Sequence, residues 1–199
     1  PYTFYGCELG AITLPANLTT IGRSAFYGSS LTRIDFSQSN KLERIGEYAF
    51  FYCRSFKEIT IPARKINFGK FAYAYCGATT LEIEANASGT TATLSVSMFE
   101  GCDNLTTVTL PNAVGFSKIP NAMFKNCTAL DKIKVKGETL EEGSALCNLP
   151  LSVKEIGSAA FSASGVTSVY LHGKITKIAS KVFASCYKLK KITFEENTN

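Results

Sequence analysis

Along these 199 residues one segment recurs without internal gaps: IGRSAFYGSS, IGEYAFFYC, FGKFAYAYC, LSVSMFEGC, IPNAMFKNC, IGSAAFSAS and IASKVFASC. In each copy an apolar residue is followed five positions later by an aromatic one: Phe26, Phe50, Tyr73, Phe99, Phe124, Phe161 and Phe183. Three positions further on stands Cys53, Cys76, Cys102, Cys127 or Cys186, with Ser29 and Ser164 in the remaining copies. The opening FYGC is a truncated copy carrying Phe4 and Cys7. Each copy then runs into an apolar-x-x-apolar-x-apolar stretch, such as LTTVTL from Leu105 and LKKITF from Leu189. One such unit is too small to bury its own apolar side, so successive units must stack into a solenoid.

The units end at Leu14, Phe36, Ile61, Ile83, Leu110, Val135, Leu171 and Phe194, which spaces them 22 to 27 residues apart except for one gap of 36. The I-x-I part alternates apolar and polar positions, the signature of a strand with one buried face. Pro15, Pro62 and Pro111 follow such strands directly and remove a backbone donor where the ladder should stop. The A-F-x-x-C part is too short for an independent helix, and one or two helical or 3₁₀ turns are expected there. The fold expected is therefore a solenoid of about eight or nine coils, with a parallel sheet on one face and short helical or 3₁₀ turns on the other. At about 4.8 Å per strand it is roughly 40 Å long.

The long gap has two readings. LPLSVKEIGSAAF from Leu149 matches LPANLTTIGRSAF from Leu14, which makes Cys147 an inward strand residue and divides the gap into a shortened coil and a normal one. The other reading is a polar surface insertion across Gly137–Ala145. Either way the irregular stretch lies near 136–149. No linker or charge block divides the chain, so residues 1–199 are read as one domain. Entry in mid-repeat and the lack of a polar cap at the end suggest a piece of a longer protein.

The pattern I-G-x-x-A-F-x-x-C-x-x-L-x-x-I-x-I-P resembles the BspA-like, or treponemal-type, leucine-rich repeat, over nearly the whole chain. Ser29, Ser164 and Pro120, which replaces Gly, depart from it. The resemblance implies an extracellular or cell-surface protein of the adhesion type, binding a host, cell-surface or matrix protein.

Composition narrows the chemistry. A single His, His172, removes multi-His metal sites and most His-based catalysis. His172 is expected to face outward or lie in a turn, whereas the cysteines face inward, so no Cys–His nucleophile pair is expected. Equivalent thiols in a regular stack keep the strand spacing, too wide for the Cβ separation of a disulfide, so free buried thiols are favoured. HGK at His172 lacks the glycine of a phosphate loop, Ser168 standing in its place. Glu138, Glu141 and Glu142 lack calcium-loop spacing and read as a solvated face. No catalytic residue, metal ligand or cofactor is assigned. A net charge of +5 is mild and does not suggest nucleic acid, and no run approaches a membrane span.

The better functional surface is the exposed side of the parallel strands. The candidate binding residues are Arg33, Lys57, Thr60, Thr107, Thr109, Lys132, Lys134, Tyr170, His172, Lys190 and Lys191. Solenoid strand faces form extended binding surfaces, and six basic against four acidic residues leave this one only mildly positive. The alternatives are a spacer that binds nothing and a glycan-binding surface using Tyr170 and the Thr-rich face.

Overall fold

The computed structural model describes residues 1–138 and 145–195. They form a parallel β-solenoid whose short strands alternate between two faces of each coil. In chain order these are β1 (Ala11–Thr13), β2 (Thr20–Ile21), β3 (Arg33–Asp35), β4 (Arg44–Ile45), β5 (Glu58–Ile61), β6 (Asn67–Phe68), β7 (Thr80–Ile83) and β8 (Thr107–Leu110). They continue with β9 (Lys118–Ile119), β10 (Lys132–Val135), β11 (Cys147–Asn148), β12 (Glu155–Ile156), β13 (Ser168–Leu171), β14 (Lys177–Ile178) and β15 (Lys191–Phe194).

The strand face holds β1–β3 and a seven-stranded sheet in the order β5, β7, β8, β10, β11, β13, β15. The return face holds two-residue strands in two groups, β2–β4–β6 and β9–β12–β14. Every pairing is parallel and in register, so each inward position meets its own equivalent in the next coil: Ile59 pairs with Leu81, Val108 with Ile133, and Val169 with Ile192. Within β5, Ile59 and Ile61 are buried while Glu58 and Thr60 are exposed, as the alternation requires. Strands β5 and β8 stop directly before Pro62 and Pro111.

Cys147 takes the inward place between Ile133 and Val169, so β11 stands as a strand of its own between β10 and β13. Most of the Gly137–Ala145 stretch, including Glu141 and Glu142, lies outside the described residues.

The core is a column of stacked rings. Phe4, Phe26, Phe50, Tyr73, Phe99, Phe124, Phe161 and Phe183 follow one another with centroids 4.8–6.0 Å apart and planes within 26°. That range is favourable for offset aromatic stacking.

The helical or 3₁₀ turns expected beside these rings are absent from the described residues, and the hydrogen bonds show why. In a helix each N–H returns to the carbonyl four residues back. Here Ser24, Phe26 and Gly28 donate instead to Glu47, Ala49 and Phe51 of the next coil at 2.8–2.9 Å. The residues between them close local turns, as when Tyr27 N–H donates to the Ser24 carbonyl at 3.2 Å. Aiming alternate peptide groups along the stack requires a left-handed residue two positions before and two after each ring. Ser24 and Gly28 have φ of 52° and 66°, Tyr48 and Tyr52 57° and 62°, and Ala159 and Ala163 both 55°. This turn face is thus a third hydrogen-bonded ladder.

Candidate functional site

Register arranges the outward side chains of the strand face in rows. One row runs Glu58, Thr80, Thr107, Lys132, and a second runs Thr60, Glu82, Thr109, Lys134, Asn148, Tyr170, Thr193. Arg33, Lys57, Thr60, Lys132, Lys190 and Lys191 are exposed, and Thr107, Thr109, Lys134 and Tyr170 are half-buried among their row neighbours. Tyr170 and Lys134 flank Asn148, a residue that sequence reasoning missed because its coil is shortened. Lys132 and Lys134 on β10 are separated from Lys190 and Lys191 at β15 by two intervening strands, or about 14 Å. The expected basic group is therefore two positive spots with a neutral stretch between them. Across the same face Lys136 Nζ reaches Glu82 at 2.7 Å, an exposed pair of small energetic weight.

His172 does not belong to this surface. It is buried at 3% exposure, its Nε2 3.0 Å from the Pro150 carbonyl, while the Lys174 N–H donates to Nδ1 at 3.3 Å. Both ring nitrogens are used inside the fold, so the imidazole is a structural tie between coils.

The thiols are also structural, with one refinement to the apolar-filler reading. Each ladder cysteine donates its S–H to the ring-residue carbonyl of the preceding coil: Cys53 to Phe26, Cys76 to Phe50, Cys102 to Tyr73, Cys127 to Phe99 and Cys186 to Phe161, at 3.0–3.2 Å. All seven cysteines are free. Burial pushes the Cys102 and Cys147 thiols up to about 12, and the Cys76 and Cys127 thiols well above the ordinary value. Hydrogen bonds from Cys76 and Ser29 lower that of Cys53, which is shielded by having no exposed surface. Only Cys7 is not buried. Iodoacetamide at pH 8 is therefore expected to label Cys7 alone in the folded protein and every cysteine after denaturation, read by intact mass. A second fast-reacting thiol in the folded protein would show that the ladder opens.

The main sheet is interrupted between β3 and β5. Behind the interruption the same two coils remain joined, by β4–β6 on the return face and by the turn-face ladder. They are splayed only at the strand face. The opening is a cavity of about 490 Å³ with an apolar floor including Ile34, Phe56, Ile59 and Tyr73. Its rim carries Arg33, Asp35, Glu58, Thr60, Arg64 and Glu84. Arg64 bridges one end, donating from Nη2 to the Phe36 carbonyl at 2.8 Å and from Nη1 to the Ser39 carbonyl at 2.9 Å. The Ser37 N–H donates to Asp35 at 2.8 Å and holds that carboxyl below its ordinary value.

The turn face adds an aromatic stripe that sequence reasoning also missed. Tyr5, Tyr27 and Phe51 stack in succession at 5.0–5.2 Å outside the core column, and Tyr75 follows tilted, 5.3 Å from Phe51. Beside them Arg54 lies 4.7 Å over the Tyr52 ring, a cation–π contact, and Tyr52 is 48% exposed. The available signal was the aromatic directly after the ring residue in FYG, AFYG and AFFY. Among the described residues no cluster of three metal-ligating side chains occurs, and no helix is long and apolar enough to cross a membrane.

Residues 1–88, 45–147 and 143–199 match a family model described as BspA type leucine rich repeat region, in six copies. No curated protein matches. Among solved structures, a leucine-rich repeat protein from Bacteroides ovatus aligns with a TM-score of 0.61 and 23% identity, over 94% of this chain and 56% of that one. The T. pallidum leucine-rich repeat protein TpLRR aligns with a TM-score of 0.60 and 21% identity, over 95% and 69%. The pneumococcal vaccine antigen PcpA aligns with a TM-score of 0.51 and 22% identity, over 92% and 50%. The chain thus spans little more than half the length of the first of these relatives, and at such identities the likeness is one of fold.

Proposed function

This chain belongs to the BspA-type leucine-rich repeat family, and from that membership we propose that it is a surface-displayed, non-enzymatic module of the adhesion type. It docks a host, cell-surface or matrix protein on its strand face. The observation that carries this reading is the pair of in-register outward rows from β5 to β15, which present polar and basic side chains over a rigid apolar body. The fold likeness to a pneumococcal vaccine antigen accords with display outside the cell. The residues assigned to contact are Arg33, Lys57, Thr60, Thr107, Thr109, Lys132, Lys134, Tyr170, Lys190 and Lys191, with Asn148 added and His172 removed.

Replacing Lys132, Lys134, Lys190 and Lys191 with Glu tests this. Adhesion to cells or immobilised matrix protein is expected to fall at least about tenfold, with the circular dichroism spectrum unchanged. Adhesion that survives in the folded variant would leave the spacer role, in which the solenoid only holds a neighbour away from the surface. The aromatic stripe of exposed Tyr5 and half-buried Tyr27, Phe51 and Tyr75 favours a second reading, glycan recognition, since neighbouring rings along a surface offer a platform for the apolar faces of sugars. A glycan-array signal that persists in the four-lysine variant and disappears with Tyr27→Ala would support that reading.

A further inference from the structure

The interrupted sheet carries more chemistry than a surface groove. Of the eight rings in the core column, only Tyr73 is not a phenylalanine. Its side chain is 1% exposed, and its hydroxyl has no hydrogen-bonding partner among the described residues. Yet no buried polar side-chain atom there is sealed away unpartnered, and Tyr73 lines the cavity between β3 and β5. The hydroxyl therefore opens into that cavity. Burial raises its pKa well above the ordinary value, so it is a donor at physiological pH.

The walls are unpaired as well. The Lys57 and Ile61 carbonyls accept from Thr79 and Glu84 of the following coil. Peptide groups alternate sides along a strand, so those of Glu58 and Thr60 face the opening. On the other wall the Asp35 carbonyl accepts from Leu14 of the preceding coil, so the Arg33 and Asp35 peptide groups face β1 and those of Ile34 face the opening. The volume, about 490 Å³, lies within the range of ligand pockets. Asp35, Glu58 and Glu84 line the slot against the two guanidinium groups of Arg33 and Arg64. Lys136 lies 3.8 Å from Glu84 and Arg33 acts on Asp35, which leaves Glu58 without an ion-pair partner among the described residues.

We propose that this slot receives an extended peptide segment bearing a basic side chain. The segment completes the sheet between β3 and β5 and accepts the Tyr73 hydroxyl hydrogen bond on a backbone carbonyl. Strand addition of this kind draws affinity from main-chain hydrogen bonds and selectivity from the flanking side chains. The slot opens on the strand face and so rests on that face being the docking surface, but it names a separate part of it.

The test uses the full chain labelled with ¹⁵N and a capped pentapeptide alternating threonine and valine around a central lysine. At saturation the amides of Ile34, Glu58 and Thr60 are expected to exchange at least about tenfold more slowly. Tyr73→Phe, which restores the ring found at every other level, is expected to fold normally and bind the peptide roughly fivefold more weakly. Glu58→Lys should weaken it further. Unchanged exchange at these amides with millimolar peptide would overturn the proposal. So would protection confined to the outer edges of β1 or β15, or undiminished binding by Tyr73→Phe. Silence of the slot while the four-lysine variant loses adhesion removes the slot and keeps the wider reading. Protection in the slot with adhesion intact in that variant does the reverse.

Discussion

Phe124→Ala is expected to cost about 3–5 kcal/mol of folding free energy, the range for deleting a large aromatic from a close-packed core. Phe124 has no exposed surface and stacks on Phe99 at 6.0 Å and on Phe161 at 5.5 Å. Neighbouring coils cannot close over the void, because three hydrogen-bonded ladders hold their backbones at a fixed spacing. The vacancy also interrupts the aromatic column that runs between the two halves of the solenoid, in which each coil touches only its neighbours. Urea denaturation followed by far-ultraviolet circular dichroism and by tyrosine fluorescence measures both effects. With no tryptophan present and seven of nine tyrosines before residue 76, fluorescence reports the first half. The two midpoints are expected to separate in the variant and to coincide in the parent. A loss below about 1 kcal/mol would mean that the ring column is not the main tie between coils.

The second large effect is expected from one methyl group. Gly77→Ala should destabilise by at least about 3 kcal/mol, the upper end of overpacking costs. A Cβ at Gly77 would lie 1.9 Å from the Arg54 carbonyl oxygen of the preceding coil. The cause is local length. After four of the five ladder cysteines the next inward apolar residue stands three positions on, as Leu105 after Cys102, whereas this coil reaches Ala78 two positions after Cys76. The chain cuts the corner beneath the carbonyl above it. Gly165 sits at the matching corner of another shortened coil, its own missing Cβ 2.5 Å from the Thr128 carbonyl oxygen. Gly10→Ala is the control: nothing lies within 4 Å, and a change of no more than about 0.5 kcal/mol is expected. Thermal melts of the two variants side by side separate a collision from a general intolerance of alanine.

The solenoid, its ring column, its alternating strands and their proline stops were all legible in the sequence, because each follows from a requirement repeated at every level. A buried row must be apolar in every coil, and a strand must end where a donor is missing. What was not legible depends on the neighbouring coil. The position of His172, one after the inward Leu171, predicts an outward side chain. The imidazole folds inward because the Pro150 carbonyl is available there. The turns were expected to be helical because left-handed backbone is rare in residues such as Tyr48, Ala159 or Lys181. Only Gly6, Gly28 and Gly101, each two positions after its ring, betrayed that geometry. The break between β3 and β5 left two traces, a tyrosine in a column of phenylalanines and Phe56 where most coils carry Leu. Neither specifies a gap until the coils are stacked.

The turn-face ladder also gives the molecule an electrical polarity. In its central column the N–H groups of Phe4, Phe26, Phe50, Tyr73, Phe99, Phe124 and Phe161 all donate forward, to carbonyls of the coil that follows. Two flanking columns, beginning at Tyr2 and at Gly6, run in the same sense. Peptide dipoles aligned head to tail add, as they do in an α-helix, whereas those of ordinary sheets largely cancel. Three parallel columns thus form a macrodipole along one edge of the solenoid. Its partial positive pole lies at whichever coil comes last and its negative pole at whichever comes first. Lengthening such a stack moves the poles apart without changing their sign, so the two ends of the rod remain electrically distinct at any length.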